Sequence, residues 1–164
     1  AALPLPSVLP RQSGAGLLQP ARAVAAALRA SGGRLAAYPV SATVLSENEL
    51  HKRLLHGTLS APLRVDANAS TAPARAVYFG LWAPHAHAVS LIGAFNCWRP
   101  DELPLHQATN GWWHGVLRLP LGVHSYRFWI VDALCPQGYW MRDPENQAIA
   151  ESGYQDEHSQ ITLD

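Results

Sequence analysis

The sequence predicts an all-β protein, an antiparallel β-sandwich preceded by a short, partly helical segment. Three observations carry that expectation. From residue 76 onward, apolar and polar residues alternate in short runs, the two-residue period of half-buried strands. Turn residues separate the runs: Ala83-Pro84, Asn110-Gly111, Pro120-Leu121-Gly122 and Pro136-Gln137-Gly138. The stretch 75–164 is close to the size of one sandwich domain, about 100 residues.

The strands follow in order. Residues 76–82 put Val77, Phe79 and Leu81 on one side, and residues 88–93 do the same with Val89, Leu91 and Gly93. Residues 113–119 and 123–131 give a third and a fourth strand, and 160–163 closes the series. In the fourth, Tyr126, Phe128 and Ile130 point one way and Arg127, Trp129 and Val131 the other. With the tyrosine side in the core, Arg127 faces out and Trp129 shares its face.

Before the strands, the chain divides into an Ala- and Pro-rich segment, 1–65, and a small polar linker, 66–75, with the sandwich at 76–164. The first segment holds two short helices. One runs over about residues 20–30, with Pro20 at its first position and Gly32-Gly33 beyond its end. The second is better signalled. Ser46 is its N-cap, Glu49 completes a capping box, Leu45 and Leu50 form a staple, and Gly57 ends it. Helices this short need something to pack on. No Asp or Glu occurs before Glu47, whereas Arg11, Arg22, Arg29 and Arg34 do. An acid-poor, Arg-containing start resembles an organelle transit segment as well as a plain Ala-rich linker. The expected location is intracellular: cytoplasmic, or plastid if that start is a transit remnant. The chain does not begin with Met, which fits a fragment or a processed form.

Composition narrows the function. Twelve basic and twelve acidic side chains balance, and 15% of residues are charged. That leaves no nucleic-acid footprint and no polybasic membrane signal. No run approaches the roughly 18 apolar residues of a membrane-spanning helix. Cys97 and Cys135 are too few for a disulfide framework or a structural zinc site, and are expected as free thiols in a reducing compartment. No metal and no cofactor is expected; His85-x-His87 has no third ligand at a helpful spacing. Asn68-Ala69-Ser70 matches a glycosylation triplet, with no other sign of secretion. No catalytic residue is expected either. The acid pairs Asp101-Glu102 and Asp156-Glu157 lie in loops, and the chain has neither a phosphate loop nor a nucleophile elbow.

Six tryptophans remain to be placed. Trp113 is expected in the core and Trp82 half-buried; Trp112 suits either place, and Trp129 suits either a sugar or an interface with another domain. Trp98 stands in "AFNCWRP" among turn-forming residues, and Trp140 follows a glycine turn. A large apolar ring held out by a loop suits a pyranose, whose axial C–H groups form an apolar patch that lies flat on an indole. Equatorial hydroxyls then reach sideways to Arg127 or Asn96. Full burial of a large apolar side chain yields roughly 1.5–3 kcal/mol, and a stacked ring covers about half of one, or about 1–2 kcal/mol. Two such platforms against an association cost of at least about 4 kcal/mol give micromolar to millimolar affinity. Weak binding suits a module on a polymer that repeats its ligand.

"LWAPHAHAVSLIGAFNCWRPDELPL", "GWWHGVLRLPLGVHSYRFWIVD" and "YWMRDPENQ", in that order, resemble the carbohydrate-binding modules of family 48. These glycogen- and starch-recognising domains occur in AMP-activated kinase β subunits, starch-targeting proteins, and branching and debranching enzymes. The resemblance runs from Val77 to about Leu163 and implies an immunoglobulin-like sandwich that binds α-1,4-linked glucan. It places the sugar on Trp98 and on Trp140, the tryptophan before Asp-Pro. It puts Arg127 at the position of a sugar-bonding Lys, with the same charge but another shape. A late loop carries an apolar residue that inserts into the glucan turn, for which Tyr154 stands nearest. The loop's sugar-bonding Asn falls on His158, which adds titration near neutral pH. Residues 131–140 are longer than the kinase-type turn by "ALCPQGY", which leaves the placement of Trp140 open.

The leading expectation is noncatalytic binding of glycogen, starch or maltooligosaccharides that targets a protein to the polymer. The alternatives are a regulatory scaffold whose N-terminal helices dock a protein partner, and an accessory domain of a larger α-glucan enzyme.

Overall fold

A computed structural model describes residues 38–60, 62–63, 72–108, 111–151 and 157–164. The expected helix at 20–30, the glycosylation triplet and Tyr154 lie outside those residues.

Among the described residues, nine strands and one α-helix follow in chain order. They are β1 (Thr43–Leu45), α1 (Glu47–Leu55), β2 (Ala74–Trp82), β3 (Ala86–Gly93), β4 (His106–Gln107), β5 (Trp112–Pro120), β6 (Gly122–Asp132), β7 (Tyr139–Met141), β8 (Ile149–Glu151) and β9 (Glu157–Leu163). One sheet has the order β1-β2-β5-β4, the other β3-β6-β9-β8, and β7 joins β6. Every strand pairing is antiparallel. β6 is the spine of the second sheet. It pairs with β3 along one edge, and shares the other between β9 at Gly122–Tyr126 and β7 at Phe128–Ile130. The protein is an all-β, immunoglobulin-like sandwich, as expected.

The alternation read from the sequence decides which side chains meet between the sheets. Val77, Phe79 and Leu81 of β2 face Val89 and Leu91 of β3, and Tyr126, Phe128 and Ile130 of β6, in one core. Phe79 and Tyr126 meet edge to face with ring centres 4.9 Å apart, a favoured aromatic geometry. Trp113 joins this core as expected, and its indole N–H donates to the Ala83 carbonyl at 3.0 Å. Trp82 is half-buried, and Trp112, left open by the sequence, is buried beside it.

The other side of β2 is covered too. Ala76 and Tyr78 pack with Val116 against Leu45, Leu50 and Leu59, which come from β1, α1 and the turn after it. Residues before 65 therefore contribute an edge strand and a helical cover to the sandwich. α1 starts as predicted: the Ser46 hydroxyl accepts from the Glu49 N–H at 3.2 Å. The reciprocal half of the capping box is replaced, because the Glu49 carboxylate pairs with Arg53 one turn on. Gly57, at φ +65°, ends the helix in the left-handed conformation that glycine adopts without penalty. The apolar side of α1 rests on the sandwich through Leu50, while Leu55 stays exposed at the helix end.

Candidate functional site

The turn after β3 presents Trp98. β3 ends at Gly93, where a Cβ would stand 2.6 Å from both the Phe95 ring and the Ser125 carbonyl oxygen, so only glycine fits. A single 3-10 turn follows at Ala94–Asn96. The Asn96 amide holds the turn closed. Its Oδ1 accepts from Gly93 N–H at 2.9 Å, and its Nδ2 donates to the carbonyls of Leu91 (3.2 Å) and Arg99 (2.9 Å). Cys97 and Trp98 then take left-handed conformations, φ 52° and 60°. Such a position costs an L-residue with a side chain roughly 1–2 kcal/mol. Trp98 N–H donating to the Gly93 carbonyl at 2.9 Å helps to hold the pair there.

The outward face of β6 supplies the floor. Arg127 and Trp129 point away from the core that Tyr126, Phe128 and Ile130 enter. Trp140 of β7 lies directly across from Trp129, on the same face. His158 follows Glu157 on β9, and the register that pairs Tyr126 with Ser159 brings it beside Arg127. These residues converge. The Arg127 guanidinium carbon lies 3.6 Å from the centre of the Trp140 ring and 5.9 Å from that of Trp98. The His158 and Trp98 ring centres are 4.6 Å apart, inclined at 39°. Arg127 Nε also donates to the Glu157 carbonyl at 3.2 Å.

The long β6–β7 connection does not carry Trp140 off this face. Asp132 accepts from the N–H groups of Leu134 (2.9 Å) and Cys135 (2.8 Å), and Gly138 N–H donates to the Cys135 carbonyl at 3.0 Å. The Cys135 N–H holds the Asp132 carboxyl below the usual carboxylate range. The extra residues thus close into a tight turn before β7 begins. Gly138, at φ +83°, leaves the space that the Trp129 indole fills; a Cβ there would stand 2.4 Å from its Nε1. Trp129 is half-buried against its own hairpin.

Of the six residues expected to touch sugar, four come together: Trp98, Arg127, Trp140 and His158. Trp140 is 46% exposed and Trp98 partly so. Two expectations need correction. Asn96 is 4% exposed, and both ends of its amide are committed to backbone, so its place in the structure is to shape the turn and not to stand out from it. Arg127 faces outward as predicted but is 6% exposed, because two indoles lie across it. Side-chain alternation gives the face and not the cover.

The Asp-Pro pair after Trp140 has a role that sequence reasoning missed. Asp143 is buried, and its Oδ2 accepts from the hydroxyls of Ser41 and Tyr126, both at 2.6 Å. Its Oδ1 accepts from Glu145 N–H at 2.9 Å. Asn146 Nδ2 donates to the Tyr126 hydroxyl (3.0 Å) and the Gln160 carbonyl (2.8 Å). Gly80 N–H donates to the Ser41 hydroxyl at 3.1 Å. One network thus ties residue 41, β2, β6, the 143–146 turn and β9 behind the aromatic face. Burial raises the Asp143 carboxyl above its ordinary value despite hydrogen bonds that pull the other way. Burial raises the Tyr126 phenol too, with the Asp143 charge adding to it. The signal in the sequence was the Asp-Pro pair itself, a turn-forming acid beside a residue of fixed backbone angle.

Chemically, the face offers two partly exposed indoles on one cationic support. Among the described residues no group of three or more His, Cys, Asp or Glu is placed to hold a metal ion. Among them, no helix is long and apolar enough to cross a membrane.

Residues 65–144 match the family model for carbohydrate-binding module 48 (isoamylase N-terminal domain). That stretch contains Trp98, Arg127 and Trp140 and stops short of His158. A 1,4-alpha-glucan branching enzyme GlgB 2 of Xanthomonas campestris pv. campestris is 42% identical over 59 residues, 35% of this chain and 8% of the enzyme. The GlgB branching enzyme of Oleidesulfovibrio alaskensis is 55% identical over 40 residues, 24% of this chain and 6% of the enzyme. That of Aquifex aeolicus is 33% identical over 82 residues, 45% of this chain and 13% of the enzyme. The chain therefore spans only a small part of the length of these relatives.

Proposed function

We propose that this family 48 carbohydrate-binding domain holds α-1,4-linked glucan by seating glucose rings on Trp98 and Trp140, and catalyses no step itself. The observation that carries this is the meeting of both indoles on one face over one guanidinium. A ring left partly in water by a turn with two strained residues is a costly arrangement. It suits a ligand that covers the ring. Two half-covered platforms favour weak binding, micromolar to millimolar, which a repeating polymer raises by avidity.

The test is retention on insoluble starch or in a glycogen-containing gel. The wild type is expected to be retained, and Trp98→Ala and Trp140→Ala each to lose about tenfold or more in affinity with an unchanged far-UV spectrum. Equal retention of all three proteins would dismiss this face.

A second role is favoured by the branching-enzyme relatives, each much longer than the matched stretch. In that role the domain is the accessory part of a larger α-glucan enzyme and keeps its polymer close. The two roles share one binding face and differ in what the module is attached to. A scaffold role through the N-terminal helices is weakened for α1, whose apolar side already rests on β2.

A further inference from the structure

The geometry points to Arg127 as a positioning residue, a buried strut that sets the orientation of both indoles and acts on glucan through them. This rests on the proposed glucan-binding role of Trp98 and Trp140. The Lys of the resembling modules is a sugar-bonding group, and Arg127 is not placed to serve as one. It is 6% exposed, and its guanidinium lies 3.6 Å from the Trp140 ring centre, the separation of stacked planes. Its Nε donates inward to the Glu157 carbonyl, so the guanidinium is held by a hydrogen bond as well as by the rings. The same guanidinium reaches Trp98 at 5.9 Å, within the range of attraction between a cation and an aromatic face.

Three elements that pair with β6 at separate places are joined again by this contact: the turn after β3 that carries Trp98, β7 and β9. Trp98 hangs from β3 on two left-handed residues. Trp140 sits on a three-residue strand at the sheet edge. The two supports attach to opposite edges of β6, and two platforms can take one glucan chain only if their planes keep a fixed relation. A planar, delocalised cation beneath both supplies that relation. A Lys ammonium cannot, because it is a point charge without a face to stack and without an Nε to pin. The consequence separates the strut from a direct sugar contact. If Arg127 hydrogen-bonded the sugar, Lys would replace it well and Met would not. If Arg127 works through the indoles, both replacements fail alike, and the indole environment changes before any sugar is added.

The experiment takes Arg127→Lys and Arg127→Met, each checked for cooperative thermal unfolding. It measures maltoheptaose binding by calorimetry and the near-UV circular dichroism of the unliganded proteins. Both variants are expected to bind about tenfold or more weakly, within twofold of each other, and to show altered tryptophan bands without sugar. Arg127→Lys is expected to weaken binding at least threefold less in a Trp140→Ala background than in the wild type, because the ring it would misplace is gone. An Arg127→Lys protein with wild-type affinity and unchanged near-UV bands would overturn the proposal. Should Arg127→Met fail to fold, Arg127→Lys alone decides by the same two readouts. A wild type that binds no maltoheptaose defeats the glucan reading, and the near-UV bands of the unliganded variants still decide whether Arg127 orients the rings.

Discussion

Cys97 and Trp98 share a backbone conformation that L-residues avoid, at φ 52° and 60°, and only Trp98 has a reason in the site to accept it. The Cys97 side chain is exposed. Glycine at 97 removes the steric penalty and forfeits no packing, so Cys97→Gly is expected to stabilise the fold by about 0.5–1 kcal/mol. Chemical denaturation checks this, and a destabilised variant would mean that the thiol makes a contact worth more than the strain. Asn96 acts in the opposite sense. Replacing it with Ala leaves the Gly93 N–H and the Leu91 and Arg99 carbonyls short of a partner around a buried turn. The expected loss is about 2–3 kcal/mol, with glucan affinity falling because Trp98 shifts. Asn96→Asp keeps Oδ1 but sets a carboxylate oxygen against the Leu91 and Arg99 carbonyls in a buried turn, so a loss at least as large as that of Asn96→Ala is expected. The sequence made Asn96 and Trp98 legible as a pair, through a turn-forming context and a motif. It could not divide the work between them, because an asparagine that ties backbone and one that reaches for a hydroxyl are spelt alike.

Elements differ in legibility for a physical reason. β2, β3, β5 and β6 are eight or more residues long and bury one face against the other sheet, so their alternation shows in the chain. β1, β4, β7 and β8 are two or three residues long and exist because a neighbour offers hydrogen bonds. A stretch that short has no period to read. β7 matters most, since without it Trp140 has no fixed place, and its register with β6 put the ring beside Arg127 against the doubt that a longer hairpin raised. α1 was legible through its cap, but its partner was not. Leu45 and Leu50 meet Tyr78 and Val116 on the side of the first sheet turned away from the sandwich core. Leu50→Ala is therefore expected to cost about 2–4 kcal/mol in global stability, the range for removing a buried leucine side chain. A loss below about 0.5 kcal/mol in urea unfolding would mean that this segment folds independently of the sheet. The same variant should leave maltoheptaose affinity unchanged where the protein is folded, because α1 lies on the first sheet and the indoles on the second.

Across the whole molecule, two buried titratable groups give opposite pH dependences, and their balance shows how the layers are held together. His114 of β5 is buried among Tyr38, Tyr78 and His106, and its Nδ1 has no hydrogen-bond partner among the described residues. Burial, with a smaller push from His106, lowers it from its ordinary 6.5 to about 4. A lowered histidine favours the fold while neutral. Its contribution is complete above pH 6.5 and is lost as pH falls toward 4, by up to about 2–3 kcal/mol. Asp143 acts in reverse. Its carboxyl is raised, so the folded state holds a proton that the unfolded chain has released, and stability from this group falls as pH rises through its folded value. Where the two ranges overlap the slopes oppose each other, so the wild-type melting temperature should vary less there than either group alone would require. Removing His114 exposes the other slope. His114→Phe keeps a ring in the aromatic layer and abolishes the acid-side loss, so its melting temperature is expected to rise relative to wild type as pH is lowered from 6.5 to 4.5. Parallel melting curves for the two proteins over that range would show that His114 titrates normally and that its neighbours admit water. The comparison also reports on the sandwich as a unit, because His114 lies on the first sheet, whereas Asp143 binds both Ser41 ahead of that sheet and Tyr126 in the second. A single transition that moves as one with pH requires the N-terminal segment and both sheets to unfold together.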